Sequence, residues 1–444
     1  MKEHKRILII SYFFAPQNLI GAVRPTKLAK YLTRMGHEVT VICGGGLDGK
    51  TDPTLQRDLQ QLPDVHQLNE WNPLRDWYIR KQARAAAAPA PAAPAAAAEP
   101  APEPGVLKRL IKTAIDTVYV WLDWTADRCF KQMGLRELKK LQGTYDVVFS
   151  SYAPISVHEI ARRAKKSGLA KKWIADFRDE LNLPFACQQG RKRRTMKMLR
   201  REANILSAVS QGTLDIMQLG ETGRVLYNGF DREDLPEMQS TAGDGCMRLV
   251  YCGQFNMGRR GVGDRDLTPA FRALAQLVQE GVLPKEKLRL VYAGTEGELM
   301  HGYASACGLE SCVEDHGLVS REESIRLQKE ADILLLASWN LAQQRGILTG
   351  KMFEYMMMDK PILCCMNGDL PDSAVKKLML ETGIGFCREE ANAVEDDALM
   401  LDYLRCLIGK WKKGETLLDG ENRTAVDAYA YPQLAATLES WISE

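Results

Sequence analysis

Short apolar runs alternate with helical patterns along most of this chain. The first run, residues 6–12, is followed by a helical pattern over 25–35 and by a second apolar run over 37–42. Strand, helix and strand at this spacing predict a right-handed crossover between parallel strands. Further strands are predicted at 145–150, 173–176, 205–210, 224–227, 248–252, 289–293, 332–337 and 361–365. The pattern therefore predicts an α/β protein with parallel sheets.

Two segments interrupt this alternation. Residues 83–104 are almost entirely Ala and Pro, which predicts a disordered insertion that has no face to pack. Residues 233–245 are polar and predict a linker. A chain of 444 residues exceeds one typical hydrophobic core. We therefore predict an N-terminal domain over 1–235 and a second domain that begins at 246.

Composition limits the class of function. The formal net charge is +2, so no global field attracts nucleic acid, and we expect no nucleic-acid partner. The 11 cysteines have no regular spacing, which predicts reduced thiols rather than disulfides or a zinc site. The basic start and the apolar run after it lack a cleavage site, and no stretch has the uncharged length of a transmembrane helix. These features predict a cytoplasmic protein.

One loop combines groups that suit a nucleotide. The predicted strand 332–337 leads through a polar loop into Thr349, Gly350 and Lys351. Ligands bind at the carboxyl ends of strands in open parallel sheets, and helix amides with an ammonium group suit a phosphate. Glu354, three residues after Lys351, can accept hydrogen bonds from the two hydroxyls of a ribose. Spacing alone equally allows a solvated surface ion pair.

The stretch Lys351-Met352-Phe353-Glu354-Tyr355 resembles the donor-binding helix of glycosyltransferase family 4. Further stretches resemble that family in the same order: the Pro-containing loop that ends at Gly21, strand 145–151 with Pro154, Asp176-Phe177-Arg178-Asp179, Asn228-Gly229-Phe230-Asp231, and Tyr251-Cys252-Gly253-Gln254-Phe255. The resemblance implies the α/β fold called GT-B: two doubly wound Rossmann-like domains face a central cleft. The second domain would span 246–428, and a C-terminal helix over 429–444 would cross back to the N-terminal domain.

The resemblance also implies an activity. Family 4 enzymes transfer a sugar from a nucleotide-sugar to a hydroxyl acceptor with retention of anomeric configuration, and they need no metal or other cofactor. A polyprenyl-linked or other glycan acceptor in surface polysaccharide assembly would fit. The implied donor-binding residues are Gly21, Gly253, Arg260, Arg265, Gly294, Thr349, Gly350, Lys351 and Glu354. Arg259 is a third candidate for the diphosphate.

On the acceptor side, three residues are candidates for catalysis or substrate positioning. His158 lies four residues after Pro154, on a predicted helix that could reach the cleft. Arg178 and Asp179 belong to the Asp-x-Arg-Asp motif. Each has a structural alternative, because a single histidine is often packed in a core and an Arg–Asp pair is often internal.

Two departures from the family pattern leave other functions open. Many members carry a sugar-contacting glutamate eight residues before the second one, where this chain has Gly346. Some carry a histidine where this chain has Tyr152. These departures favour a non-catalytic nucleotide-sugar-binding scaffold as an alternative. A nucleotide-sugar epimerase on the same fold is a second enzymatic alternative.

A further helical pattern suggests where the protein could meet a membrane. Residues 106–130 show helical periodicity with Trp121 and Trp124, and residues 191–201 are rich in Arg and Lys. Aromatic and basic side chains together suit an anionic interface, here the inner face of the plasma membrane. A helix packed in the core and a solvated basic face are the alternatives.

Overall fold

The computed structural model describes residues 4–45, 51–69, 121, 124–181, 188–236, 244–255, 265–342 and 344–444. The disordered insertion predicted at 83–104 and most of the helical pattern at 106–130 lie outside these residues. Across the described part of the chain, no helix combines the length and the apolarity needed to cross a bilayer. The described residues form two sheets.

The first sheet has seven strands in the order β3-β2-β1-β4-β5-β6-β7. Inside this sheet, β1 pairs in parallel with both β2 and β4. The strands are β1 (Arg6–Ser11), β2 (Glu38–Gly44), β3 (Asp64–Leu68), β4 (Tyr145–Tyr152), β5 (Ala170–Phe177), β6 (Ile205–Ala208) and β7 (Gly223–Val225). The sequence pattern did not predict β3, because its Asp, His and Gln break the apolar run.

Helices follow most of these strands, as the alternation predicts. They are α1 (Ile20–Arg34), α2 (Pro53–Leu59), α3 (residues 124–138), α4 (Ser156–Lys166), α5 (Gln189–Glu202) and α6 (Gln211–Met217). α1 starts five residues before the predicted start at Pro25. Pro25 thus lies inside the helix and not at its start. Gly21 therefore lies inside the first turn of α1.

The second sheet has six strands in the order β10-β9-β8-β11-β12-β13. They are β8 (Met247–Cys252), β9 (Leu288–Ala293), β10 (Val313–Asp315), β11 (Ile333–Trp339), β12 (Ile362–Asn367) and β13 (Gly385–Glu389). The helices are α7 (Thr268–Gln279), α8 (Gly297–Ala306), α9 (Arg321–Lys329), α10 (Gly350–Met356), α11 (Ala374–Thr382), α12 (Ala393–Lys413), α13 (Arg423–Asp427) and α14 (Tyr431–Ser443).

Both faces of this sheet are buried, which explains why its strands are continuous apolar runs. Side chains alternate between the two faces of a strand. In β11, Leu334 and Leu336 enter one hydrophobic cluster, whereas Leu335 and Ala337 enter the other. The sheet therefore separates two cores.

By its internal contacts the chain forms two compact units. One comprises Met1–Phe177 with Leu183–Ile205, and the other comprises Arg178–Asn182 with Leu206–Glu444. In the second unit, the C-terminal helix α14 packs beside residues 224–230. The Phe230 amide donates to the Tyr429 carbonyl (3.2 Å), and the last residue, Glu444, accepts hydrogen bonds from Arg224 of β7.

Candidate functional site

The six-stranded sheet has a topological switch point between β8 and β11. The two strands are neighbours, but the chain leads from β8 to β9 and β10 on one side and from β11 to β12 and β13 on the other. The loops that follow such strands diverge at the carboxyl edge of the sheet, where open α/β sheets bind ligands. The predicted donor-binding residues of the second domain follow β8, β9 and β11. The topology therefore places these residues at the carboxyl edge of the six-stranded sheet.

Lys351 and Glu354 form an ion pair at the start of α10. Lys351 Nζ donates to Glu354 Oε1 at 2.7 Å, and Gln328 Nε2 donates to the same oxygen at 2.8 Å. The Glu354 side chain is 14% exposed and that of Lys351 is 35% exposed. Glu354 Oε2 accepts no hydrogen bond from the described residues, and the ammonium keeps two N–H groups beyond its bond to Glu354. The pair therefore offers a ligand one acceptor oxygen, on Glu354, and two donor N–H groups, on Lys351.

The charge state of Glu354 is set by opposing influences. Burial raises the pKa of its carboxyl, but the charges of Lys351 and Arg321 and the two hydrogen bonds outweigh burial and lower the pKa to about 2. Glu354 is therefore a carboxylate at neutral pH. A carboxylate only accepts hydrogen bonds, as binding of sugar hydroxyls requires.

Sequence reasoning did not predict Gln328. It is fully buried on α9, and its Nε2 also donates to Ser324 Oγ at 2.9 Å. Gln328 lies 26 residues from Glu354 and belongs to no motif. Its position on the helix could have indicated a role. Gln328 lies three residues after buried Ile325, on the packed face of α9, and a polar side chain buried there needs a hydrogen-bond partner.

The loops after β8 and β9 touch each other through glycines. Tyr292 Oη donates to the Gly253 carbonyl at 2.9 Å, and the Gly253 amide donates to the Ala293 carbonyl at 3.0 Å. A Cβ atom added to Gly294 would lie 2.3 Å from the Gly253 oxygen. Gly294 is required here because no side chain fits. The two predicted glycines are thus brought together.

Arg265 brings a cation to the ends of β8 and β11. Its Nη1 donates to the Gln254 carbonyl at 3.0 Å, and its guanidinium carbon lies 5.3 Å from the ring centre of Trp339, the last residue of β11. Its Nε is buried and has no hydrogen-bond partner among the described residues. The other two candidate arginines, Arg259 and Arg260, lie outside the described residues.

The predicted start of α10 is close to the observed one. Gly350 is the first residue of the helix, and Thr349 precedes it without a capping hydrogen bond from its side chain. α10 has only seven residues, so we assign the positive charge at this position to Lys351 and not to the helix. The Tyr355 hydroxyl accepts from the Cys252 amide at 3.3 Å and so ties α10 to the end of β8.

His158 is enclosed in the core of the first unit. Its side chain is fully buried, its Nδ1 lies 2.8 Å from Ser150 Oγ, and its ring centre lies 4.9 Å from that of Phe177. Burial lowers the pKa of His158 to about 3, against an opposing influence of Asp176. The ring is therefore neutral. These surroundings fit the structural alternative, and a catalytic role for His158 stays a prediction.

The Asp-x-Arg-Asp motif divides into a buried part and an exposed part. Asp176 is fully buried, and its carboxylate accepts from Arg24 Nη2 at 2.8 Å and from Ser151 Oγ at 3.0 Å. The internal Arg–Asp pair thus uses Arg24 of α1. Arg178 approaches Asp179 at 3.6 Å, and the Asp179 side chain is 67% exposed. Arg178 and Asp179 remain candidates for substrate contact.

The structure describes part of the two segments, 106–130 and 191–201, that the sequence suggests for membrane contact. Trp121 and Trp124 are exposed, at 54% and 40% of their surface. The basic stretch 191–201 lies within α5, where Arg191 forms an ion pair with Asp127 of α3. Membrane contact stays a prediction.

No family model matches the chain, and no curated protein matches it. Solved structures match it over its whole length. The N-terminal domain of trehalose-6-phosphate phosphatase from Candida albicans has a TM-score of 0.61 at 12% identity and covers 100% of this chain and 97% of that one. A glycosyltransferase from Rickettsia africae ESF-5 has a TM-score of 0.55 at 15% identity and covers 100% and 98%.

The catalytic domain of starch synthase IV from Arabidopsis thaliana, bound to ADP and acarbose, has a TM-score of 0.54 at 11% identity and covers 99% of each chain. Identities this low establish a shared fold and leave function to be argued from the site. The chain therefore has the α/β GT-B fold, as its sequence predicts.

Proposed function

We propose that this protein is a glycosyltransferase that moves a sugar from a nucleotide-diphosphate sugar to a hydroxyl acceptor. The observation that carries the proposal is the Lys351–Glu354 pair, which lies at the switch point of the six-stranded sheet together with Arg265. An ionised carboxylate beside an ammonium group, with a guanidinium at the same edge of the sheet, matches a ribose beside a diphosphate.

In this proposal each group has a separate task. Glu354 Oε2 accepts hydrogen bonds from the ribose, while Lys351 and Arg265 donate to the diphosphate. When the bond between the anomeric carbon and the diphosphate oxygen breaks, negative charge grows on the leaving group, and the two cations stabilise it. The resemblance to family 4 implies retention: the acceptor oxygen bonds to the same face of the sugar, and its proton passes to the leaving diphosphate. The resemblance also implies that no metal is needed.

The acceptor is proposed to be a glycan or a polyprenyl-linked saccharide in surface polysaccharide assembly, at the cytoplasmic face of the membrane. The exposed Trp121 and Trp124 support contact with a lipid interface. Flotation with vesicles that contain anionic lipid tests this part. Absence of binding, or binding that replacement of both tryptophans by Ala does not weaken, would reject it.

Calorimetric titration with a panel of nucleoside diphosphates tests the donor site. We expect Lys351→Ala and Glu354→Ala each to weaken binding by about 1–3 kcal/mol, the range for one charged hydrogen bond. Asp402→Ala is the control, because Asp402 forms an ion pair of the same i,i+3 type with Arg405 on the surface of α12. Unchanged affinity in both site variants would remove the assignment.

A non-catalytic nucleotide-sugar-binding scaffold is the second candidate, favoured by Gly346 at the position of the missing glutamate. A Cβ atom on Gly346 would lie 2.6 Å from the Gly212 Cα, so no carboxylate fits there. Product analysis separates the possibilities. A transferase consumes donor and acceptor together, a scaffold binds donor without turnover, and an epimerase converts donor without acceptor.

A further inference from the structure

A cavity of about 580 Å³ lies at the amino edge of the seven-stranded sheet. α3 and the end of α4 line it, together with Gly168 and Leu169 just before β5. Its volume is within the range of small-molecule sites. The candidate donor residues of the second domain follow strands of the other sheet, and none of them lines this cavity.

The cations around the cavity differ from their neighbours on the same helices. Arg136 in the last turn of α3, Lys139 just after α3 and Arg163 on α4 line the cavity, and no acidic residue among the described residues does. None of the three forms an ion pair with a described residue. The adjacent cations outside the cavity are paired: Lys140 with Glu137 at 2.7 Å, and Lys166 with Glu202 at 3.2 Å.

We propose that this cavity binds a ligand that carries two or more phosphate charges. Three exposed cations line this cavity without an acidic partner among the described residues, which produces a positive potential there. Two of the three are arginines, whose planar guanidinium groups suit phosphate oxygens. Leu135 and Leu138 add an apolar wall, which gives a phosphate-bearing molecule with an apolar part a second contact.

Helix polarity offers a competing explanation. α3 and α4 both end here, and cations near a helix C-terminus interact favourably with its partial negative charge. That explanation applies equally to Lys140 and Lys166, which nevertheless have acidic partners. It therefore does not account for the missing partners of Arg136, Lys139 and Arg163. The two explanations predict different results, because a phosphate-binding site takes up a phosphate compound and helix polarity alone does not.

The test is calorimetric titration of the full-length protein with tripolyphosphate. We expect saturable binding that persists in Lys351→Ala, because the cavity and the candidate donor site are separate. In Arg136→Gln/Arg163→Gln the affinity should fall about tenfold or more, since each charged hydrogen bond corresponds to about a factor of ten. Lys140→Gln/Lys166→Gln is the control, because it removes the same charge from paired neighbours.

The source of the phosphate is settled by a second measurement. Vesicles of phosphatidylcholine with and without phosphatidic acid, whose phosphomonoester can carry two charges, are tested for binding by wild type and by the two double variants. Tripolyphosphate binding alone indicates a soluble ligand. Vesicle binding that needs phosphatidic acid and the two arginines indicates a lipid headgroup. The proposal is overturned if neither probe binds, or if both double variants weaken binding equally.

Discussion

The ionised pair at Lys351 and Glu354 was predictable from sequence because both residues lie in one short motif. Its third member, Gln328, was not, because pairing across 26 residues depends on how α9 packs against α10. The same distinction holds in the first unit. The motif left an internal Arg–Asp pair as an alternative, and the structure pairs Asp176 with Arg24, which lies 152 residues away on α1. Local motifs identify the functional groups, while tertiary packing selects their partners.

Gln328 holds Glu354 in place, so its loss should weaken nucleotide binding without direct contact with the ligand. Gln328→Leu keeps α9 packed but removes one hydrogen bond to Glu354 Oε1, and we expect affinity to fall by about 1–2 kcal/mol in calorimetry. Gln276→Leu is the control, because Gln276 donates to Glu280 at 2.9 Å on an exposed helix face. Equal affinity in wild type and Gln328→Leu would show that Lys351 alone positions the carboxylate.

The low pKa of Glu354 has a consequence for stability. The folded protein holds this pKa at about 2, below its ordinary value of 4.5, so the unfolded chain binds the proton more tightly. The stabilisation is complete above about pH 5 and disappears as the pH falls to 2. A shift of this size corresponds to about 3 kcal/mol.

Denaturant unfolding of wild type and Glu354→Gln at several pH values measures this difference. The free energies of unfolding should differ most at neutral pH and converge at pH 2. A difference that stays constant with pH would mean that the carboxylate is not stabilised by its neighbours.

At the scale of elements, the loop after β11 is shaped by a close contact with α6. Gly346 has a φ of +66°, which favours glycine, and its added Cβ would meet the Gly212 backbone at 2.6 and 2.9 Å. A glutamate at this position would have to displace backbone. The sequence shows the glycine but not the contact that requires it, because Gly212 lies on a different element.

Gly346→Ala should therefore destabilise the protein more than the backbone conformation alone explains. Gly308→Ala is the matched control, since Gly308 has a φ of +70° and its added Cβ would meet no atom within 4 Å. In chemical unfolding, Gly308→Ala should lower the free energy of unfolding by about 1 kcal/mol. Gly346→Ala should lower it by about 1–3 kcal/mol more. Equal losses would show that the loop moves away from α6 without strain.

At the scale of the whole molecule, the alternation of apolar runs predicted most strands but not the order of the strands within each sheet. β3, β10 and β13 were missed because they are short or interrupted by polar residues. The switch points follow from right-handed crossovers that proceed in both directions from a central strand. The pattern therefore predicted an α/β protein with parallel sheets, but not which loops meet at a common edge.

A nucleotide that binds at the switch point should stabilise the folded state of the unit that contains the site. A ligand at 100 times its dissociation constant contributes about 2.7 kcal/mol. For a unit of this size, that corresponds to an increase in Tm of about 5–10 °C. A thermal-shift panel of nucleoside diphosphates should show this increase for the base that fits, and Lys351→Ala should reduce it at the same concentration because its dissociation constant is larger. An equal shift in wild type and Lys351→Ala would place the nucleotide elsewhere on the molecule.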